Sequence, residues 1–192
     1  MPNYSSFTHW ALQQWMPQLP PGRIDAVYMH WSAHDYQSVF PAYHFCVVLD
    51  ANAQPVVVQT NDLRINMRNV REAPEQPYAA HTRGRNSWAA GLAVAAMRDA
   101  TPSDFGRFPL TRAQLDGLVR VAAAVAEFYG IEPSAIRTHA EAALEDGYFG
   151  AGEDERWDIA RTAASPLPLD PSEAASTGDW FRERIAELLE RA

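Results

Sequence analysis

Three side chains in this sequence are suited to share one metal ion: His30, His139 and Asp158. His30 closes the apolar run Ile24-Asp25-Ala26-Val27-Tyr28-Met29-His30. His139 follows Thr138, and Asp158 ends the triplet Arg156-Trp157-Asp158. Zinc takes imidazole nitrogen and carboxylate oxygen at roughly 2.0–2.2 Å, and catalytic sites use three protein ligands and keep one position for water. A lone histidine at a strand end is ordinarily a hydrogen-bonded core residue. Two histidines with a carboxylate make ligation of Zn2+ the better reading.

Bringing them together requires strands and capped turns. Ile24–Trp31, Tyr43–Leu49 and Gln54–Gln59 read as strands, and the turn-like Asp50-Ala51-Asn52-Ala53 joins the last two as a hairpin. Trp88–Met97 mixes Ala, Gly, Leu and Val, which fits a central strand covered on both faces, although periodicity alone also allows a helix. Ile136 to His139 reads as a short strand delivering the histidine.

Thr111-Arg112-Ala113-Gln114 has the form of a capping box. Leu115, Leu118, Val119, Ala122, Val125, Ala126 and Tyr129 continue it at helical spacing, and Gly130 stops it. Residues 5–16, with Phe7, Trp10, Leu12 and Trp15, predict a short amphipathic helix, and the histidine within it, His9, is expected at its surface. Residues 60–80 lack a clean period and read as a long surface loop, a kind that is more often functional than idle. An Ala/Ser/Pro-rich linker is expected over 164–176. Beyond it Trp180, Phe181, Ile185, Leu188 and Leu189 mark one face of a final helix, whose alternating Glu and Arg from 182 to 191 read as a solvated face. Strands mixed with helices give an α/β protein, a single domain with a central mixed β-sheet flanked by helices. Its parts are an N-terminal helical extension (1–22), the main domain (23–163), and the linker with the C-terminal helix (164–192).

The bulk properties narrow the function. The 192 residues, 47% hydrophobic and 21% charged, suffice for a substantial core. A net charge of −8 argues against nucleic acid and against an anionic membrane surface as partners. Cys46 is the only cysteine, which excludes an internal disulfide and a Cys-rich zinc site. No basic segment followed by an apolar run opens the chain, and no apolar stretch approaches the roughly 20 residues of a membrane helix. The expectation is a monomer made in the cytoplasm.

Four blocks, taken in order, carry a resemblance. They are His30 followed by Trp31-Ser32-Ala33; Tyr43-His44-Phe45; His81-Thr82-Arg83-Gly84-Arg85-Asn86; and Thr138-His139 with Arg156-Trp157-Asp158. Over roughly residues 24–162 the chain resembles the zinc amidase fold of N-acetylmuramoyl-L-alanine amidases and peptidoglycan recognition proteins, phage endolysins included. The resemblance implies hydrolysis of the amide between N-acetylmuramic acid and L-alanine in peptidoglycan. It puts His30 and His139 on the family's histidine ligands and Asp158 on its third ligand. Tyr43 falls on a tyrosine near the metal, and Arg156 on a basic residue two positions before the third ligand. Arginine is permanently charged, so Arg156 would stabilise a developing oxyanion rather than move protons.

The sequence departs from the pattern in one respect. Asp158 comes late after His139, without the family's usual Pro-Gly, and Glu145, Asp146, Glu153 and Asp154 lie between them. Asp146 therefore competes as third ligand. His81 and Asn86 either line the substrate groove or only shape a turn. His44, next to Tyr43 on an expected strand, should face the other way and be structural, and His34 and Asp35 lie where they could touch substrate. The implied role is a phage or prophage endolysin. The alternatives are cytoplasmic recycling of muropeptides and a non-catalytic module of the same fold that binds peptidoglycan. Histidine ligands must be neutral, so activity should fall below about pH 6.

Overall fold

A computed structural model describes residues 19–190. The helix expected over 5–16 lies outside them. Five strands form one mixed sheet in the order β3-β2-β4-β1-β5. β1 is Ala26–Trp31, β2 Phe45–Leu49, β3 Pro55–Gln59, β4 Ala89–Val94 and β5 Ile136–Thr138. β2 and β3 form the expected antiparallel hairpin, whereas β2–β4, β4–β1 and β1–β5 are parallel. Among the described residues, three α-helices complete the α/β architecture: α1 Arg112–Tyr129, α2 His139–Glu145 and α3 Pro171–Leu189. None of the helices described is long and apolar enough to cross a membrane.

The two faces of the sheet are built from different residues because side chains alternate along a strand. Val27, Met29 and Trp31 of β1, Phe45 and Val47 of β2, and Ala90, Leu92 and Val94 of β4 enter the main core. There they meet Leu118, Ala122 and Val125 of α1 and Phe181 and Ile185 of α3. The alternate positions face the other way. Tyr28 and His30 of β1 stand beside Ala89, Gly91 and Ala93 of β4, and these small residues leave space for bulky rings above them. β4 is buried at all six positions, as its composition led us to expect.

α1 follows its local signals closely. Thr111 and Gln114 cap each other, and Gly130 ends the helix in the left-handed conformation at φ 66°. Other segments depart from expectation. β2 begins at Phe45, so Tyr43 and His44 precede it and strand alternation does not govern them. His139 opens α2 rather than closing β5, because Thr138 and Glu141 form a capping box around it. Residues 60–80 are pinned rather than loose, with Leu63, Asn66, Val70 and Ala79 buried. The Asn66 amide donates to the carbonyls of Ala79 (3.0 Å) and Asn86 (2.8 Å) and accepts from Ala79 N–H (2.8 Å). α3 starts inside the expected linker, capped by Asp170 and opened by Pro171.

Candidate metal centre

Parallel pairing of β1 with β5 places Met29 opposite Thr138. One residue further on, His30 and His139 therefore stand side by side at the carboxyl ends of neighbouring strands. The third member arrives from the loop after α2, where the backbone N–H of Ala140 donates to the Asp158 carbonyl at 3.1 Å. Ile159 follows in the left-handed region at φ 61°, a costly conformation for a β-branched residue that turns the chain sharply after Asp158.

The polar atoms converge. His30 Nδ1 lies 3.0 Å from His139 Nδ1, His139 Nδ1 lies 3.2 Å from Asp158 Oδ2, and His30 Nδ1 lies 3.5 Å from the same oxygen. Tetrahedral ligands about 2.0–2.1 Å from a zinc ion stand roughly 3.3 Å apart, so the triangle has the edge lengths that zinc requires. All three residues are buried. Two imidazole nitrogens and a carboxylate oxygen are also the donor types zinc accepts, and we conclude that these residues fit the ion. Asp146 is elsewhere: Arg85 Nε and Nη2 each donate to it at 2.7 Å on the exposed side of α2.

Ligation through Nδ1 leaves the proton on Nε2, and a partner there fixes the tautomer. His30 Nε2 lies 3.4 Å from Thr82 Oγ1, which is 3.0 Å from His81 Nδ1. His81 is buried beside His30, with ring centroids 5.6 Å apart, and is also among the residues that line the cleft over the site. Its ring rests on Gly91, where a Cβ would overlap it. His44 lies behind His81, 5.7 Å ring to ring, and its Nδ1 accepts from Gly91 N–H at 2.9 Å. It is structural, as expected, although it does not face away. Asn86 shapes the turn, because its Oδ1 accepts from the N–H groups of His81 (3.0 Å) and Thr82 (2.9 Å).

A cleft of about 600 Å³ opens over the triangle, lined by Tyr43, Arg83, Asn86, Tyr148, Arg156 and Asp158 among others. Tyr43 stacks near His30 (5.0 Å between centroids) and donates to the Trp31 carbonyl at 3.2 Å. Arg156 reaches the cleft with its guanidinium held by the carbonyls of Glu153 (3.1 Å) and Glu155 (2.5 Å). Trp157 packs edge-on against Trp31 at 4.4 Å, under the wall of the cleft. His34 and Asp35 do not line it; Asp35 pairs with Arg98 at 2.8 Å. Tyr148 and Arg83, stacked with the guanidinium 4.7 Å from the ring, form a wall of the cleft; Arg83 lay within one of the four blocks without a role, and Tyr148 lay outside them all. Thr82 lay within a recognised block, but only the fold gives it a partner.

Burial governs the titrations. It pulls His30 down to about 4, against the raising effect of Asp158. Burial thus favours the neutral imidazole of His30, the form that can ligate a metal. Burial pushes the Asp158 carboxyl up, but the charges and hydrogen bonds of His139 and His30 outweigh it and hold Asp158 well below the usual carboxylate range. Burial, then Asp158, raises the Tyr43 hydroxyl far above its ordinary value, so it is a neutral donor and not a base.

No protein-family model matches the sequence, and no curated protein matches it. Among solved structures, one match is a complex of the N-acetylmuramyl-L-alanine amidase AmiD from E. coli with the substrate anhydro-N-acetylmuramic acid-L-Ala-D-γ-Glu-L-Lys. The two share 20% identity, with 84% of this chain and 60% of that chain covered and a TM-score of 0.44. The chain spans about 60% of the length of that structure. The functional reading therefore rests on the residues of the site.

Proposed function

We propose that the protein is a zinc-dependent hydrolase of the amide bond between N-acetylmuramic acid and L-alanine in peptidoglycan. One observation carries this reading: two imidazole nitrogens and one carboxylate oxygen converge within 3.0–3.5 Å at the floor of an open cleft. The four sequence blocks that resemble the amidases supply the substrate class. Lewis acidity toward a carbonyl and toward a water nucleophile is the chemistry that zinc supplies at such a site.

His30, His139 and Asp158 would hold the ion, and the carboxylate would offset part of its charge. Water adds to the lactyl carbonyl carbon of the sugar, the C–N bond breaks, and the proton ends on the amine of L-alanine. Arg156, a fixed cation at the rim, stabilises the oxygen as it gains negative charge. Tyr43 packs on the His30 ring and presents a neutral hydroxyl. Asn86 and the stacked pair Arg83–Tyr148 bound the space for the glycopeptide. We assign the protein to lysis by a phage or prophage endolysin, acting as a monomer on peptidoglycan after cytoplasmic synthesis.

The test is zinc content of the purified chain together with mass spectrometry of digested peptidoglycan. Free stem peptides beginning at L-alanine, beside intact glycan strands, are the expected products. Muropeptides bound but uncut would make the protein a binding module, and cleaved glycan strands would exclude the amidase. Turnover confined to small soluble muropeptides, with intact sacculi left untouched, would favour recycling over lysis.

A further inference from the structure

Helix α3 contributes nothing to the cleft, yet two of the three proposed ligands are fastened to it from behind. On the Asp158 side, the Ala160 carbonyl accepts the Thr177 hydroxyl at 2.9 Å. Next along the chain, Arg161 is only 4% exposed. Its guanidinium donates to the carbonyls of Leu167 (3.1 Å), Ser165 (3.2 Å) and Pro168 (2.9 Å) and pairs with the Glu173 carboxylate at the start of α3. Ala140, Ala160 and Ala174 pack together with no exposure, joining α2, the ligand loop and α3. Ile159, in its left-handed conformation, lies between Asp158 and this anchorage. A residue in that region persists only where its surroundings hold it on both sides.

The His139 side is built the same way. Glu141 caps α2 by accepting from Thr138 N–H at 2.8 Å, which fixes the turn that carries His139. Arg182 of α3 pairs with Glu141 at 2.8 Å and donates to the Ile136 carbonyl of β5 at 3.1 Å. Expected on a solvated face, Arg182 is instead turned onto the helix cap. Gly178 makes this possible, because a Cβ there would overlap the Glu141 carboxylate. Residues 174, 178 and 182 recur at four-residue spacing, so one stripe of α3 addresses both ligands.

We infer that α3 is the positioning element of the metal centre: Thr177 sets the loop bearing Asp158, Gly178 sets the capped turn bearing His139, and neither touches the ion. This rests on the zinc reading proposed above. A helix that merely filled the core would lower stability when weakened and leave the geometry of the ligands alone. A positioning helix ties metal affinity to side chains remote from the metal, in the way that outer-shell partners do.

The experiment uses the full chain and measures two quantities: zinc affinity, by competition with a chromophoric chelator, and thermal stability of the metal-free protein. Thr177→Val deletes one hydroxyl at nearly constant volume, Gly178→Ala displaces the Glu141 cap, and Ile185→Val loosens α3 in the main core away from the ligands. Thr177→Val and Gly178→Ala are expected to weaken zinc about 10–100-fold, whereas Ile185→Val lowers the melting temperature and leaves zinc affinity unchanged. Wild-type affinity in the first two, or a loss no greater than in Ile185→Val, would overturn the inference. Should Gly178→Ala fail to fold, Thr177→Val decides the matter alone. A wild-type chain that takes up no zinc would overturn the metal reading itself, a result distinct from any pattern among the variants.

Discussion

Replacing Asp158 by asparagine separates the ligand from its competitor, and Asp146→Asn is the matched control. In the structure Asp158 Oδ2 lies 3.2 and 3.5 Å from the two imidazole nitrogens. Asp146 is bound to Arg85 instead. Loss of an outer-shell partner costs 10–100-fold in metal affinity, so loss of a ligand should exceed about 100-fold, or roughly 2.7 kcal/mol. The metal-free Asp158→Asn protein should remain folded, because asparagine keeps the volume and an oxygen facing the His139 ring. Asp146→Asn weakens an ion pair whose carboxylate side chain is 36% exposed, worth about 0–1 kcal/mol, and should leave zinc untouched. Chelator competition gives the affinities, and circular dichroism with thermal melting verifies the fold. Zinc affinity retained in Asp158→Asn, or lost in Asp146→Asn, would refute the assignment and with it the role given to Arg156.

Further outcomes follow from the same geometry. Gly91→Ala should destabilise by about 1–3 kcal/mol through overpacking against His81, outweighing the roughly 0.5–1 kcal/mol that alanine gains over glycine in a strand. His81 has nowhere to retreat, with His30 and His44 on either side, and an unchanged melting temperature would contradict this. Metal-free stability should fall as pH drops from about 6.5 towards 4. Burial holds His30 and His44 at about 4 in the folded chain, whereas in the unfolded chain they take up protons below 6.5. Each contributes up to about 1.4 kcal/mol per pH unit across that window, and a urea midpoint that stayed flat from pH 7 to 5 would be inconsistent with it. Arg156→Gln should lower kcat about 10²-fold with zinc bound normally. A raised KM with kcat unchanged would recast Arg156 as a holder of substrate.

The sequence alone determined the elements whose causes are local. The Thr111–Gln114 capping box, the apolar stripe and Gly130 specify α1 because capping and periodicity involve residues within four positions of one another. The composition of β4 fitted a strand buried on both faces, but its periodicity also allowed a helix, and pairing with β1 and β2 settled it. His30, His139 and Asp158 were legible as donors because few residue types bind zinc. The start of α2 was legible too, in Thr138-His139-Ala140-Glu141, though it reads as a strand end until the cap is noticed.

Which carboxylate joins the histidines depends on packing between distant segments. Asp146 and Asp158 are equivalent as chemistry. What distinguishes them is a turn at Ile159, the cage around Arg161 and the contact of Ala160 with α3, none of which has a local signature. The place of His81 was likewise open in the sequence: the missing Cβ of Gly91 lets its ring pack beside His30 at the back of the cleft. His30 and His139 are 109 positions apart in sequence. Their meeting depends on parallel strand register and helix packing, free energies that arise only once distant segments are already in contact.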